Sequence, residues 1–202
     1  MANVTRQYVT ENNYYEVIKH AQEFLEKYFR NKIVSYTFKR YKQNEILDIE
    51  FKNAGFAHLV GLEYIGIYPK YFWKDLKNDR INWQKVKFTN DNDSGTSPKE
   101  YFEMKMEALK FIDLLITKDA RICDGCLFSN SYVDKVLRTK EDILGIGLKL
   151  LANDKHVMST TRLLSAEEDI KSGSAVISIT AYDKVTREKI IYYNRQSIGE
   201  AS

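Results

Sequence analysis

The chain has 202 residues, 44% of them hydrophobic and 13% aromatic, which is enough apolar volume for one sizeable core and excludes a wholly disordered polypeptide. Lys and Arg number 31 against 28 Asp and Glu, so the excess of three is too small to establish a polyanion partner by itself and is compatible with a local basic patch. No apolar run approaches the roughly 20 residues that cross a bilayer, and Met1-Ala2-Asn3-Val4-Thr5-Arg6 lacks the apolar stretch of a secretory signal, so a cytoplasmic protein without a membrane partner is expected.

Asn13 followed by Glu16 reads as a capping box, and Val17, Ile18, Ala21, Phe24, Leu25, Tyr28 and Phe29 recur at helical spacing, predicting a helix over about 13 to 30. Two β-rich runs, 33 to 40 and 45 to 52, flank the turn Tyr41-Lys42-Gln43-Asn44 and predict a hairpin. Residues 56 to 65 read as a helix opening before the Tyr68-Pro69 break, and 70 to 88 as one or two short helices rich in aromatics and lysines. The polar run Thr89 to Thr96 is a loop, and Ser97-Pro98-Lys99-Glu100 supplies an N-cap, a proline at the first helical position and the capping-box glutamate. That helix is expected to reach about Thr117 and to bury Phe102, Met106, Leu109, Ile112, Leu115 and Ile116. Strands follow at 121 to 128, 143 to 151, 156 to 164, 175 to 182 and 189 to 193, the last two as a hairpin. The expected fold is α+β, with helices packed on a small antiparallel sheet in a single domain over 1 to 202, helix-rich to 117 and strand-rich from 118.

Two stretches carry residue types suited to chemistry. In Phe51-Lys52-Asn53-Ala54-Gly55-Phe56-Ala57-His58-Leu59-Val60-Gly61-Leu62 a single imidazole lies within a glycine-bracketed apolar run. It is either a proton-transfer group near neutral pH or a hydrogen-bonded packing residue. In Lys155-His156-Val157-Met158-Ser159-Thr160-Thr161-Arg162-Leu163-Leu164-Ser165 three hydroxyls precede an arginine, a set suited to phosphate oxygens and equally to a strand edge. Lys149, Lys155, Lys184 and Arg187 are either an extension of the positive surface that such a site would use or ordinary surface solubility residues.

Cys123-Asp124-Gly125-Cys126 offers two thiols, yet zinc needs four ligands and the three histidines, at 20, 58 and 156, are scattered, so no metal site is expected. Asp91, Asn92 and Asp93 lack the spacing and terminal glutamate of a calcium loop. There is no phosphate-binding P-loop, Gly145-Ile146-Gly147 lacks the third glycine of a dinucleotide fingerprint, and no cofactor is expected.

The order of these features, a helix, a hairpin running into F-x-N-x-x-F-x-H-L-x-G-L, a long helix, then a strand with Ser159-Thr160-Thr161-Arg162-Leu163-Leu164, resembles the phage-associated Barnase/EndoU/colicin/RelE-like (PBECR) nucleases, specifically their fourth family, over residues 33 to 195. The resemblance implies a compact α+β nuclease of phages or toxin systems that cuts RNA without a metal. His58 matches the histidine of the H-L-x-G signature. Thr160, Thr161 and Arg162 match less closely, because Ser159 and Thr160 stand where a proline before the hydroxyl is expected.

On that reading His58 is general acid or base, Arg162 with Thr160 or Thr161 stabilises the phosphorane, and Ser159 and Lys149 help to hold substrate. Tyr192 or Tyr193 stacks a base or supplies a second proton. The substrate would be RNA, a tRNA or a ribosome-associated target, with an immunity or antitoxin protein as a further partner. The alternative is a non-catalytic binding module of a mobile element, an inhibitor or antitoxin, using Tyr71, Phe72, Trp73 and Trp83 as interface anchors.

Overall fold

Helix α1 (Tyr14–Tyr28) turns Ile18, Ala21, Phe24 and Leu25 inward, as their spacing predicts, and Asn31 in the left-handed region (φ 58°) then redirects the chain into the sheet. The computed structural model describes residues 14–89, 96–128, 131–141, 143–164 and 172–195. The Asn13 cap, the loop at 90–95 with Asp91, Asn92 and Asp93, and Ser165 lie outside the described residues.

Strands β1 (Lys32–Arg40) and β2 (Gln43–Glu50) form the expected hairpin, tightened to a two-residue turn in which Tyr41 and Lys42 both have positive φ, 46° and 70°. A turn of that hand matches the right-handed twist of the strands it joins. Beyond β2 a 3₁₀ turn (Asn53–Gly55) leads into the short helix α2 (Phe56–Leu59), and then β3 (Leu62–Tyr64). The helix expected to 65 stops because Gly61 takes φ 78° and its N–H bonds the carbonyl of His58 at 3.0 Å, a left-handed helix ending that a side chain would resist. Helix α3 (Lys70–Lys77) and a 3₁₀ turn (Trp83–Lys85) precede β4 (Val86–Phe88), which pairs antiparallel with β3.

Helix α4 (Pro98–Leu109) begins with the capping box expected from the sequence: the Ser97 hydroxyl accepts from the Glu100 N–H and the Glu100 carboxylate accepts from the Ser97 N–H. It ends earlier than expected, at Lys110, and Ile112–Ile116 continue as a 3₁₀ turn that still buries Ile112 and Leu115. Strands β5 (Ala120–Phe128), β6 (Ser131–Thr139), β7 (Leu144–Leu150) and β8 (His156–Leu163) form an antiparallel meander, and β9 (Ser174–Asp183) with β10 (Lys189–Asn194) make the terminal hairpin.

The α+β class holds, but the sheet is not small. Eight strands pair in the order β1-β2-β8-β7-β6-β5-β9-β10, and β1 also pairs with β9, so the ladder returns to its first strand. One contact is parallel: β2 meets β8 through Ile49↔His156 and Glu50↔Val157. In the large sheet the strand that the sequence pattern does not predict is β6, where Asp134, Lys135 and Arg138 interrupt the apolar alternation that marks a half-buried strand; the short β3 and β4 fall in stretches read from sequence as helical. The main core joins residues of all four helices to β1, β2, β7, β8 and β9, while Cys123, Val133, Val136 and Leu164 form a separate small cluster.

Candidate functional site

Within α2 the side chains of Phe56, Ala57 and Leu59 are buried and that of His58 is exposed, so one helical turn presents a single imidazole to solvent. His58 borders a cleft of about 850 Å³ whose lining includes Ala54, Glu63, Tyr64, Tyr68, Pro69 and Thr89. Glu63 pairs with Lys87 at 3.2 Å on the β3/β4 ladder. The Tyr64 hydroxyl donates to Asp75 Oδ2 at 3.0 Å and accepts from the Asn82 N–H, and burial raises its pKa. Thr89 is tied to the His58 turn by its N–H, which bonds the Gly61 carbonyl at 3.0 Å.

The backbone of that turn is held from beneath by a buried cation. Lys105 of α4, 1% exposed, donates from Nζ to the His58 carbonyl at 3.0 Å, and the same ammonium lies 4.7 Å from the centre of the buried Tyr101 ring. Arg162 of β8 places its Cζ 4.5 Å from that ring. Two desolvated cations thus share one aromatic ring, each gaining from its quadrupole. A path of direct contacts runs from the His58 carbonyl through Lys105 and Tyr101 to the Arg162 guanidinium.

The other residues singled out in the sequence are distributed differently. A register shift at Ser159, between Leu148↔Met158 and Gly147↔Thr160, marks a bulge, and the Ser159 hydroxyl donates to the Gly147 carbonyl at 3.0 Å. Thr160 turns its methyl toward Gly147, where a Cβ would come within 2.9 Å of it. Thr161 opposes Ile146 of the main core, is 0% exposed, and its Oγ1 has no hydrogen-bond partner among the described residues. In this conformation its hydroxyl faces the core, because cross-strand partners share a face of the sheet. Arg162 is also buried, against Tyr101. Lys149 is exposed on β7 opposite Val157. The Tyr192 hydroxyl donates to the Tyr28 carbonyl at 3.0 Å, its ring packs edge-on against Tyr28, and burial pushes its pKa up to about 12. Tyr193 is half-buried opposite Ile179. None of Lys149, Ser159, Thr160, Thr161, Arg162, Tyr192 and Tyr193 lines the His58 cleft.

Sequence reasoning missed Tyr101, Lys105, Glu63 and Tyr68. The first two carried a signal: Tyr101 and Lys105 stand four apart on the most clearly marked helix, and so share a face. Cys123 and Cys126 are not joined in a disulfide, and Cys123 is buried with its pKa raised by that burial. Among the described residues no group of three or more His, Cys, Asp or Glu side chains is placed to hold a metal ion.

The family model described as phage-Barnase-EndoU-ColicinE5/D-RelE like nuclease4 matches residues 17–196, from within α1 to just beyond β10. The chain belongs to this nuclease family. Membership in PBECR4 places the chain among phage-associated nucleases of the BECR type, whose substrate class is nucleic acid. The PBECR4 match takes in His58, the Tyr101–Lys105 pair and Arg162 alike. No curated protein and no solved structure matches the chain. No helix among the described residues is long and apolar enough to cross a membrane.

Proposed function

We propose that this chain is an endoribonuclease that cleaves RNA by internal transesterification, with His58 as a proton-transfer residue. The observation that carries the reading is the exposure of the His58 imidazole at the edge of a cleft in a chain of a nuclease family. In the reaction the RNA 2′-oxygen attacks the adjacent phosphorus, the P–O5′ bond breaks, the 2′-hydroxyl proton is taken up by a base, and O5′ receives a proton from an acid. The products are a 2′,3′-cyclic phosphate and a 5′-hydroxyl. His58 and Glu63 both line the cleft and carry side chains that can exchange a proton, and they are assigned the two proton transfers.

The role of Arg162 changes with its burial. Instead of gripping the phosphodiester, it acts through Tyr101 and Lys105 as a positioning residue for the His58 turn, and adds positive potential behind it. Ser159, Thr160 and Thr161 shape β8 under that scaffold and do not touch substrate. The binding-module alternative rested on aromatic anchors, and Phe72, Trp73 and Trp83 are buried in the core.

The reading is tested by incubating the purified protein with tRNA and with total RNA in the presence of EDTA. Fragments ending in 2′,3′-cyclic phosphate are expected, and the same sequences made as DNA remain uncut, since DNA lacks the internal nucleophile. Equal cleavage of DNA, or cleavage only on adding a divalent metal, overturns the reading. A tRNA, a ribosome-associated RNA or a toxin setting with a protein inhibitor would each be consistent with this chemistry.

A further inference from the structure

Aromatic side chains of this protein are mostly core, but one pair at the His58 cleft is not. Tyr68, which lines the cleft, is 74% exposed, and Tyr71 beside it is 39% exposed. Their ring centres are 6.4 Å apart, and Lys70 Nζ lies 5.7 Å from one and 5.3 Å from the other. Neither Lys70 nor the exposed Lys74, one turn further on, is paired with a carboxylate among the described residues. The turn is braced: Pro69 stands at the N-cap position of α3, the Tyr71 N–H bonds the Tyr68 carbonyl at 2.9 Å, and Phe72, Trp73 and Leu76 anchor the helix in the core.

From this geometry we infer that Tyr68 and Tyr71, with Lys70 between them, form a platform on which an unpaired base of a single-stranded nucleic acid stacks, while its phosphate enters the cleft beside His58. Every base has a π-face, so exposed rings held on a hydrogen-bonded turn beside ammonium groups without a carboxylate partner among the described residues fit a single strand of little sequence preference. A duplex keeps its bases stacked on one another and offers no face to the tyrosines. The platform rests on the nuclease reading only for the cleavage step after the strand has docked, and docking itself is measured without cleavage.

The probe is a fluorescent single-stranded RNA octamer with 2′-O-methyl groups, which has no free internal nucleophile. Tyr68→Ala is expected to weaken its binding about tenfold or more, the scale of one lost base–aromatic stack, while Tyr68→Phe binds like the parent. An octamer with an abasic site should lose affinity for the parent protein and show a much smaller difference between the parent and Tyr68→Ala. Lys70→Gln should lower the slope of log affinity against log salt by about one phosphate contact. Because the Tyr68 side chain is largely in solvent, an unchanged thermal midpoint for Tyr68→Ala is expected.

Undetectable binding by the parent, equal binding by Tyr68→Ala, Phe as weak as Ala, or a duplex bound as tightly as the single strand each overturns the platform. If RNA is cut yet binding ignores Tyr68, the platform fails and the nuclease reading stands. If Tyr68-dependent binding is found and RNA is never cut, the nuclease reading fails and the platform stands.

Discussion

Lys105 donates to the carbonyl oxygen of His58 across 3.0 Å, so a buried ammonium on α4 fixes the backbone from which the exposed imidazole projects. The contact joins residues 47 positions apart in the chain, and it couples the His58 turn to Tyr101 and Arg162. On the proposed mechanism the proton-transfer group must be held to within a fraction of an ångström, and this contact is one of those that hold its turn.

His58→Ala is expected to reduce RNA cleavage at least about 10²-fold, the lower end of general acid/base contributions. The exposed side chain leaves the core untouched, so the urea midpoint should stay within experimental error of the parent. Equal turnover would remove His58 from the mechanism.

Lys105→Met keeps the length of the side chain and removes the charge and the bond to His58. Replacing a buried charge by an apolar group of similar volume is often close to neutral for stability, so a change within about 1.5 kcal/mol is expected. Turnover should fall about tenfold or more with little change in KM. An unchanged turnover at unchanged stability would show that the His58 turn holds its position without Lys105.

Gly61→Ala and Gly66→Ala separate two costs. Both glycines are left-handed, φ 78° and 67°, but a Cβ at Gly61 would come within 3.0 Å of Lys105 Cδ, whereas nothing lies within 4 Å at Gly66. Gly66→Ala should cost only the conformational term, about 1 to 2 kcal/mol, and Gly61→Ala about 1 kcal/mol more from the crowding. Equal losses in denaturant titrations would mean that α4 yields freely at Gly61.

Burial lowers the pKa of His156, with Lys135 adding to the effect and Asp134 and Asp48 opposing it. The folded protein therefore holds this imidazole neutral to a lower pH than the unfolded chain does. Stability contributed by neutral His156 is intact above the unfolded value of about 6.5 and is lost as pH falls through the folded value. Urea midpoints of the parent should drop below pH 6.5, and those of His156→Leu should drop less over the same range. Parallel curves for the two proteins would assign the acid sensitivity to other groups.

Tyr192→Phe removes the hydroxyl that bonds the Tyr28 carbonyl. A loss of about 1 kcal/mol in stability with unchanged RNA cleavage is expected, since the hydrogen bond is structural and the ring stays in place. A large fall in turnover would return Tyr192 to the reaction as a proton donor.

The elements that depend on neighbours in the chain were legible without coordinates. The Ser97 to Glu100 capping box, the apolar stripe of α1, the β1/β2 hairpin and the α+β class follow from hydrogen bonds and side-chain contacts only a few residues apart, and these are written into spacing and turn chemistry. His58 stood out for the same reason, as the one imidazole between Gly55 and Gly61. The tertiary structure alone decided what surrounds it. Closure of the sheet through β1/β9 and β2/β8, the burial of Thr161 and Arg162, the capture of Tyr192 by Tyr28, and the placement of Lys105 under His58 all join distant segments. Side-chain burial is a property of the whole packed core, and a local pattern reports which face of an element is apolar but not which element will cover it.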